Sequence, residues 1–164
     1  MHSKLTFSIT HRGLSSIFGL FQKFEATITS SKPDFSDAVF EMTADISSIN
    51  TEVQMRDNNL KSANFFNAAK YPTMIFKSTS IINTTGIKNM FKVTGNLTMH
   101  GVTKSVTVEV WFRRTLYDVA SKKTTAGFQI LGTINRADFL IGPADPFDTA
   151  TDVAVKADGE FIEQ

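Results

Sequence analysis

Most of this chain alternates apolar and polar residues one by one, and this period of two constrains the fold more than any other feature of the sequence. Near the start, Leu5, Phe7, Ile9 and His11 share one parity, with threonine and serine between them. Successive side chains of a β-strand point to opposite faces, so the pattern is typical of a strand with one buried face. The same alternation recurs over residues 24–28, 40–46, 74–78, 91–99, 106–112, 126–134 and 153–161.

One segment, from residue 56 to Pro72, breaks the alternation. Leu60 and Phe66 belong to an apolar stripe at helical spacing. Asp57 is placed to cap the first turn by accepting backbone N–H groups, and the proline ends the helical pattern. We therefore predict a single helical insertion over about residues 56–70, set among strands.

The alternating segments amount to about eight strands, three of them before the helix. No second helix is long enough for a βαβ unit, so the strands should pair antiparallel. The pair His100–Gly101 supplies a tight hairpin turn, whereas residues 117–125 and 136–151 are predicted to be irregular. The pattern alone favours an all-β fold and leaves a closed barrel and a sandwich both open.

The predicted inward faces mix phenylalanine with small residues. The chain has 15 phenylalanines against 2 tyrosines and 1 tryptophan, and a side chain without a polar group suits an interior that contacts hydrocarbon, although a well-filled core would look the same. The small residues either leave space along the interior or relieve crowding where the sheet bends; they are Ala26, Ala44, Gly95, Gly132, Ala157 and Gly159. The large inward residues are Phe7, Ile9, His11, Phe40, Met42, Phe76, Phe91, Val93, Leu97, Val108, Val110, Phe128, Ile130 and Phe161.

Length and composition exclude several classes of protein. The 164 residues are enough for one domain. With 17 basic and 16 acidic residues the net charge is +1, which disfavours nucleic acid as a partner. There is no cysteine, and no apolar run approaches the ~18 residues of a membrane helix. The start, MHSKLTF, lacks the pattern of a signal peptide; the expectation is a cytoplasmic protein as written, or a periplasmic one if a leader precedes it.

The sequence offers little for catalysis. His2, His11 and His100 form no metal-binding motif, and no nucleophile or phosphate-loop motif occurs, so we predict neither an enzyme nor a bound metal or cofactor. Asp57 beside Arg56 would suit a catalytic acid, but a helix cap with a neighbouring ion pair is the favoured interpretation. Arg136 is placed either to reach a ligand or to brace a loop, and bracing is favoured.

Four segments carry a resemblance to a known family: HSKLTFSITHRG, SINTEVQMRDNNLKSANFFNAAKYPTMIFKS, VTGNLTMHGVTKSVTVEV and AGFQILGTINRADF. Together they resemble the YceI-like family of polyisoprenoid-binding, lipocalin-like proteins over nearly the whole chain. The resemblance implies an extended eight-stranded antiparallel barrel with a helix at one end. It also implies a long apolar tunnel for a polyisoprenoid, isoprenoid quinone or fatty-acyl lipid, a homodimer, and a bacterial envelope location.

The resemblance also suggests which residues matter. Leu140 stands where such sequences more often have glycine. The resulting hypothesis is binding, storage or transport of a long-chain apolar lipid, and the alternatives are a lipid-modifying enzyme using Asp57 or His11, or a structural barrel with a filled core. The residues on matching motifs are Phe7, Ile9, His11, Arg56, Asp57, Phe65, Phe66, Gly95, Leu97, Arg136 and Phe139.

Overall fold

Most of the described chain lies in one antiparallel sheet of ten strands. The computed structural model describes residues 3–143 and 149–164. One short α-helix, α1, spans Gln54–Lys61. The strands are β1 Lys4–His11, β2 Ser15–Phe21, β3 Phe24–Thr29, β4 Val39–Asp45, β5 Ile49–Asn50, β6 Thr73–Asn83, β7 Met90–Met99, β8 Val102–Asp118, β9 Lys123–Asn135 and β10 Thr149–Ile162.

The sheet curls into a lipocalin-like barrel that is incompletely closed. Its strand order is β3-β4-β6-β7-β8-β9-β10-β1-β2-β5, so β3 and the two-residue β5 form the edges. The edges are tied together at one corner, where the N–H groups of Gln22 and Lys23 donate to the carbonyl and hydroxyl oxygens of Ser48 at 3.1 and 3.0 Å. Within the described residues, the outer edge of β3 pairs with no further strand.

The period-two pattern correctly predicted which residues face the interior of the central strands. In β7, Phe91, Val93, Leu97 and Met99 are all buried, with less buried residues between them. The predicted hairpin turn between β7 and β8 is confirmed, because His100 and Gly101 have φ angles of 53° and 75°. Positive φ at both central residues is the geometry that two-residue hairpins favour, since its twist matches that of the strands.

The predicted count of eight strands was wrong. The segment that forms β2, Ser15–Phe21, was interpreted as mostly turn because of its serines, and the two residues of β5 are too few to show a pattern. The predicted loop at residues 117–125 is shorter in the structure, since β8 continues to Asp118, β9 begins at Lys123 and only residues 119–122 form the turn. At these residues both faces of the hairpin are exposed, so the sequence shows no alternation of apolar and polar residues there. The predicted irregular segment 136–151 contains a short 3-10 helix at Arg136–Phe139, and its residues 144–148 lie outside the described residues.

The helix was predicted at the right place with the wrong extent. It ends at Lys61 rather than near residue 70, and turns follow, with the Phe66 N–H donating to the Leu60 carbonyl at 3.0 Å. Ser62, Asn64 and Asn67 follow Lys61, and the side chains of serine and asparagine compete with the helix for backbone hydrogen bonds. Asp57 is not the N-cap, because that position is Val53 and carries no side-chain hydrogen bond.

The buried apolar residues form two clusters at different heights of the barrel. One surrounds Ile46 and Phe139, which are each 1% exposed, and lies below the helix and the 3-10 helix. The other surrounds Val93 and Phe128 in the middle strands. Phe76 packs against both clusters. The interior between and beside these clusters is where a ligand would have to lie.

Candidate functional site

A cavity of about 2090 Å³ occupies the inside of the curled sheet. Typical pockets for small ligands have volumes of ~300–1,000 Å³, so this one is large for a domain of 164 residues. It extends from β1, β2 and α1 past the middle strands to the β3–β4 loop and the end of β10. Residues from both faces of β3 line it, including Glu25 and Ala26, which places an opening beside the unpaired edge of this strand.

Most of the residues predicted to contact a ligand line this cavity. They are Phe7, Ile9, His11, Phe40, Met42, Arg56, Phe65, Phe66, Phe76, Val93, Leu97, Val108, Val110, Phe128, Ile130, Arg136 and Phe161. Their contact with a ligand stays a prediction, because lining a cavity shows only that they are accessible from it.

Three predicted site residues do not line the cavity. Phe91 and Phe139 are 3% and 1% exposed and pack within the two buried clusters. Asp57 is buried beneath the helix, where its Oδ1 accepts hydrogen bonds from the backbone N–H of Thr51 at 2.9 Å and from the hydroxyl of the same residue. Its carboxylate is therefore engaged by the segment that leads into α1, and the predicted role of Asp57 as a helix cap was wrong.

Arg56 holds the same segment from the cavity side. Its Nε donates to the hydroxyl oxygen of Thr51 at 2.8 Å, and its Nη2 donates to the carbonyl oxygen of Thr51 at 2.7 Å. The threonine hydroxyl thus donates to Asp57 and accepts from Arg56. This arrangement fixes the start of α1 with one buried carboxylate and one guanidinium, and it leaves the Thr51 hydroxyl engaged at both its donor and an acceptor position.

Two adjacent aromatic side chains, Phe65 and Phe66, line the cavity just beyond the helix. The Phe66 ring stands edge-on to Phe21 with centroids 6.2 Å apart, and Phe21 lies 5.8 Å from Phe7. We call Phe7, Phe21 and Phe66 the helix-end cluster. The neighbouring Phe65 ring lies against Gly142, where a Cβ atom would come within 2.5 Å of the ring at a φ of +71°. Only glycine combines that conformation with so close an approach.

Arg136 braces a loop, which is the interpretation that the sequence analysis favoured. The side chain is 7% exposed and donates to the carbonyl oxygens of Ala150 at 3.0 Å, Ile141 at 2.8 Å, Pro143 at 2.7 Å and Thr149 at 2.9 Å. Burial lowers the pKa of its guanidinium from the ordinary value. A planar fork of donors suits several backbone carbonyls at once, so this one residue joins the 3-10 helix to the start of β10.

The two described histidines have different surroundings. His11 lines the cavity at the end of β1. His100, in the β7–β8 turn, hydrogen bonds through Nδ1 to the Phe139 carbonyl at 3.0 Å and stacks edge-on with Tyr71 at 5.0 Å. Across residues 3–143 and 149–164, no group of three or more histidine, aspartate or glutamate side chains is arranged to hold a metal ion.

A second aromatic cluster lies at the other end of the cavity. The Phe128 ring has the Phe35, Phe40, Phe112 and Phe161 rings around it at centroid distances of 5.0, 5.8, 5.3 and 5.8 Å. We call these five residues the distal cluster. Sequence reasoning missed the residue at position 35, because it lies in a polar turn with no periodicity. The available signal was a single large apolar side chain among serine, proline and aspartate.

The small inward residues have mixed roles. Ala26, Ala157 and Gly159 line the cavity. At Gly95, by contrast, a Cβ would come within 2.5 Å of the Phe76 ring, and at Gly132 within 2.8 Å of Val108. At the latter two positions the absence of a side chain lets a neighbour pack closely, which is the crowding interpretation.

The sequence model of the YceI-like domain matches residues 1–161 of this chain. The chain belongs to the YceI-like family. The protein YceI of Salmonella arizonae is 37% identical over 147 residues, which cover 87% of this chain and 75% of that protein. Both comparisons agree with the motifs identified in the sequence.

Solved structures share the fold. The Campylobacter jejuni YceI protein matches with a TM-score of 0.84 and 29% identity, over 92% of this chain and 87% of that one. A domain from Saccharophagus degradans, described as polyisoprenoid-binding and implicated in plant cell wall breakdown, matches with a TM-score of 0.69 over 98% of this chain and 93% of that one. At 16% identity, this second likeness shows the fold alone.

In the part of the chain that the structure describes, no helix has both the length and the apolar character needed to cross a bilayer.

Proposed function

We propose that this protein binds a long-chain apolar lipid, of the polyisoprenoid, isoprenoid quinone or fatty-acyl type, inside the barrel. The observation that carries the proposal is the cavity of about 2090 Å³ with phenylalanine clusters at both ends and aliphatic side chains between them. Each methylene transferred from water into such a lining contributes ~0.8 kcal/mol. The family membership and the polyisoprenoid-binding description of a protein with the same fold support this class of ligand.

We propose that the protein binds its lipid and does not convert it. Asp57, the carboxylate considered as a catalytic acid, is engaged by Thr51 and does not line the cavity. His11 lines the cavity at one end, where a polar ligand group would meet it. The protein would then store or carry its lipid, and the extracted lipid should be recovered chemically unchanged. The large cavity also argues against a structural barrel with a filled core.

Native mass spectrometry followed by organic extraction tests this proposal. Purified protein should carry a stoichiometric long-chain lipid, or take one up after delipidation. Affinity should climb with chain length and then level off, because the lining offers bulk and few hydrogen-bond donors. Binding that is independent of chain length and abolished by a change of head group would contradict the proposal, and so would a lipid that the protein converts.

We further propose that the protein forms a homodimer through the outer face of the sheet at β1, β2, β9 and β10. Phe18 and Leu131 on this face are 70% and 41% exposed, and they flank a shallow depression of about 860 Å³. Exposed apolar residues grouped in this way mark surfaces that associate. Analytical ultracentrifugation of wild type and Phe18→Asp should show a dimer that the variant loses, and a monomeric wild type would refute the proposal.

A further inference from the structure

The β3–β4 loop, residues 30–38, is held by its own hydrogen bonds. The carboxylate of Asp37 accepts from the hydroxyl groups of Ser30 and Ser31 and from the Ser31 N–H at 3.1 Å. The Phe35 N–H donates to the Lys32 carbonyl at 3.1 Å. These bonds fix the loop without help from neighbouring strands, and they therefore fix the position of the one large apolar side chain it carries.

That side chain, Phe35, points into the barrel, whereas the four residues before it are exposed. Its ring centroid lies 4.8 Å from Phe112 and 5.0 Å from Phe128, at an interplanar angle of 90° to the latter. The residue has a φ of +57°, a left-handed conformation that is unfavourable for any residue with a Cβ atom. The aromatic contacts must offset that cost, so the ring position depends on the loop geometry and on the two partner rings together.

The ring lines the cavity at the distal cluster. Phe35 and Phe128 line the cavity, whereas Phe112, which packs against both, does not. The Phe35 ring therefore lies between the cavity and Phe112, while Thr115 and Thr124 line the cavity farther along β8 and β9.

At the opposite end, Arg56, Arg136 and His11 line the cavity, and His11 pairs with Thr149, whose carbonyl accepts from Arg136. Lys32, in the β3–β4 loop, and Lys156 also line the cavity. We place the polar head of the lipid beside the two guanidinium groups at the helix end, so that its tail extends toward Phe35.

We propose that Phe35 sets the length of the chain that this protein accepts, by stopping the tail of an isoprenoid at the distal cluster. The inference rests on the proposed binding of a long-chain lipid and adds the residue that limits it. Replacing the ring by alanine removes about six carbons of side chain and leaves a cavity, which is room for about one further isoprene unit. Enlarging the ring shortens the available space by a comparable amount.

The test measures which chains the delipidated protein retains. Wild type and variants are incubated with all-trans prenols that grow by one isoprene unit at a time, and the occupied fraction is measured by native mass spectrometry. The variants are Phe35→Ala, Phe35→Gly, which removes the ring and accepts positive φ, and Phe35→Trp. The control is Phe91→Ala, because Phe91 is 3% exposed and belongs to the same buried cluster but does not line the cavity.

The expected result is a plateau of affinity that moves to longer prenols, by at least one isoprene unit, in Phe35→Ala and Phe35→Gly. In Phe35→Trp it moves to shorter prenols, and in Phe91→Ala it stays at the wild-type length. If Phe35→Ala fails to fold, the glycine and tryptophan variants decide the outcome. An unchanged plateau in the Phe35 variants, or an equal shift in the control, overturns this inference while the proposed function stands. A wild type that retains no prenol of any length overturns the proposed function itself.

Discussion

Phe66→Ala should destabilise the empty protein more than the lipid-loaded one. Full truncation of a buried phenylalanine costs ~3–5 kcal/mol, and Phe66 is half-buried at the cavity end, in edge-on contact with Phe21. We therefore expect a loss of ~2 kcal/mol in the free energy of unfolding of the delipidated variant. For a domain of this size that loss lowers Tm by ~4–8 °C.

In the loaded variant, the lipid occupies part of the space that the ring leaves. Two more methylenes buried at ~0.8 kcal/mol each recover ~1.5 kcal/mol, so the remaining loss is ~0.5 kcal/mol and Tm falls by ~1–2 °C. By linkage, a ligand that stabilises the variant more than the wild type binds the variant more tightly. The difference of ~1.5 kcal/mol corresponds to a Kd lower by about tenfold.

Thermal unfolding of delipidated and reloaded protein, followed by circular dichroism, measures both losses. Phe139→Ala is the matched control, since Phe139 is 1% exposed and does not line the cavity. The control should lose the same stability with and without lipid. Equal losses of stability for Phe66→Ala in the two states would show that Phe66 is an ordinary core residue. A larger loss in the loaded state would show that the ring binds the lipid rather than closing the end of the cavity.

Three further predictions concern the loops that frame the cavity. Arg136→Lys should lower the free energy of unfolding by ~3 kcal/mol in chemical denaturation, because one ammonium group does not span the four carbonyls that the guanidinium joins; a lysine variant as stable as wild type would contradict the bracing role. Leu140→Gly should raise that free energy by ~0.5–1 kcal/mol, because Leu140 is 69% exposed and has a φ of +57°; an unchanged or lower midpoint would show that its side chain makes a compensating contact. Hydrogen bonds from Ser30 and Ser31 hold the pKa of the Asp37 carboxyl below its ordinary value of 3.8. The stability that the Asp37 carboxylate contributes is therefore fully present above pH 3.8 and is lost as the pH falls through the lower pKa of the folded state. The Tm difference between wild type and Asp37→Asn should accordingly be constant at neutral pH and shrink in acid. A difference that grows in acid would contradict the predicted direction of this pH dependence.

The sequence predicted the parts of the fold that repeat. Alternation identified the inward residues of the central strands because burial on one face imposes a period of two. The turn at His100–Gly101 was visible because positive φ restricts the residues that form it. Strand β5 was missed because two residues show no period, and β2 because its serines resemble a turn.

The candidate site was predictable where it belongs to a strand and not where it depends on tertiary contact. The sequence drew attention to Asp57 and Arg56, but their common partner, Thr51, lies before the helix and nothing in the local sequence marks it. The role of Phe35 depends on rings contributed by β8 and β9, far away along the chain. Such contacts follow from the register of the sheet, which the pattern of one strand does not contain.

Different interactions hold the chain in place at the two ends of the cavity. Side chains around an empty volume have neighbours on one side only, so apolar packing alone holds irregular segments there weakly. At the helix end, hydrogen bonds from Arg136 to backbone carbonyls and from Thr51 to Asp57 hold these segments without filling the space. Hydrogen bonds to charged groups contribute ~1.5–3 kcal/mol each and are directional, so this frame is fixed before a ligand arrives.

At the distal end, hydrogen bonds to the Asp37 carboxylate hold the loop that carries Phe35, but apolar contacts hold the other rings. There, Phe128 is surrounded by four other phenylalanines, whose contacts are non-directional and tolerate small changes in ring position. In the binding mode that we propose, the fixed polar frame lies beside the lipid head, and the apolar wall completed by one loop residue can change without disturbing that frame. Selection among chain lengths should therefore vary through position 35 and its partner rings, while the bonds of Arg136 and Asp57 stay the same.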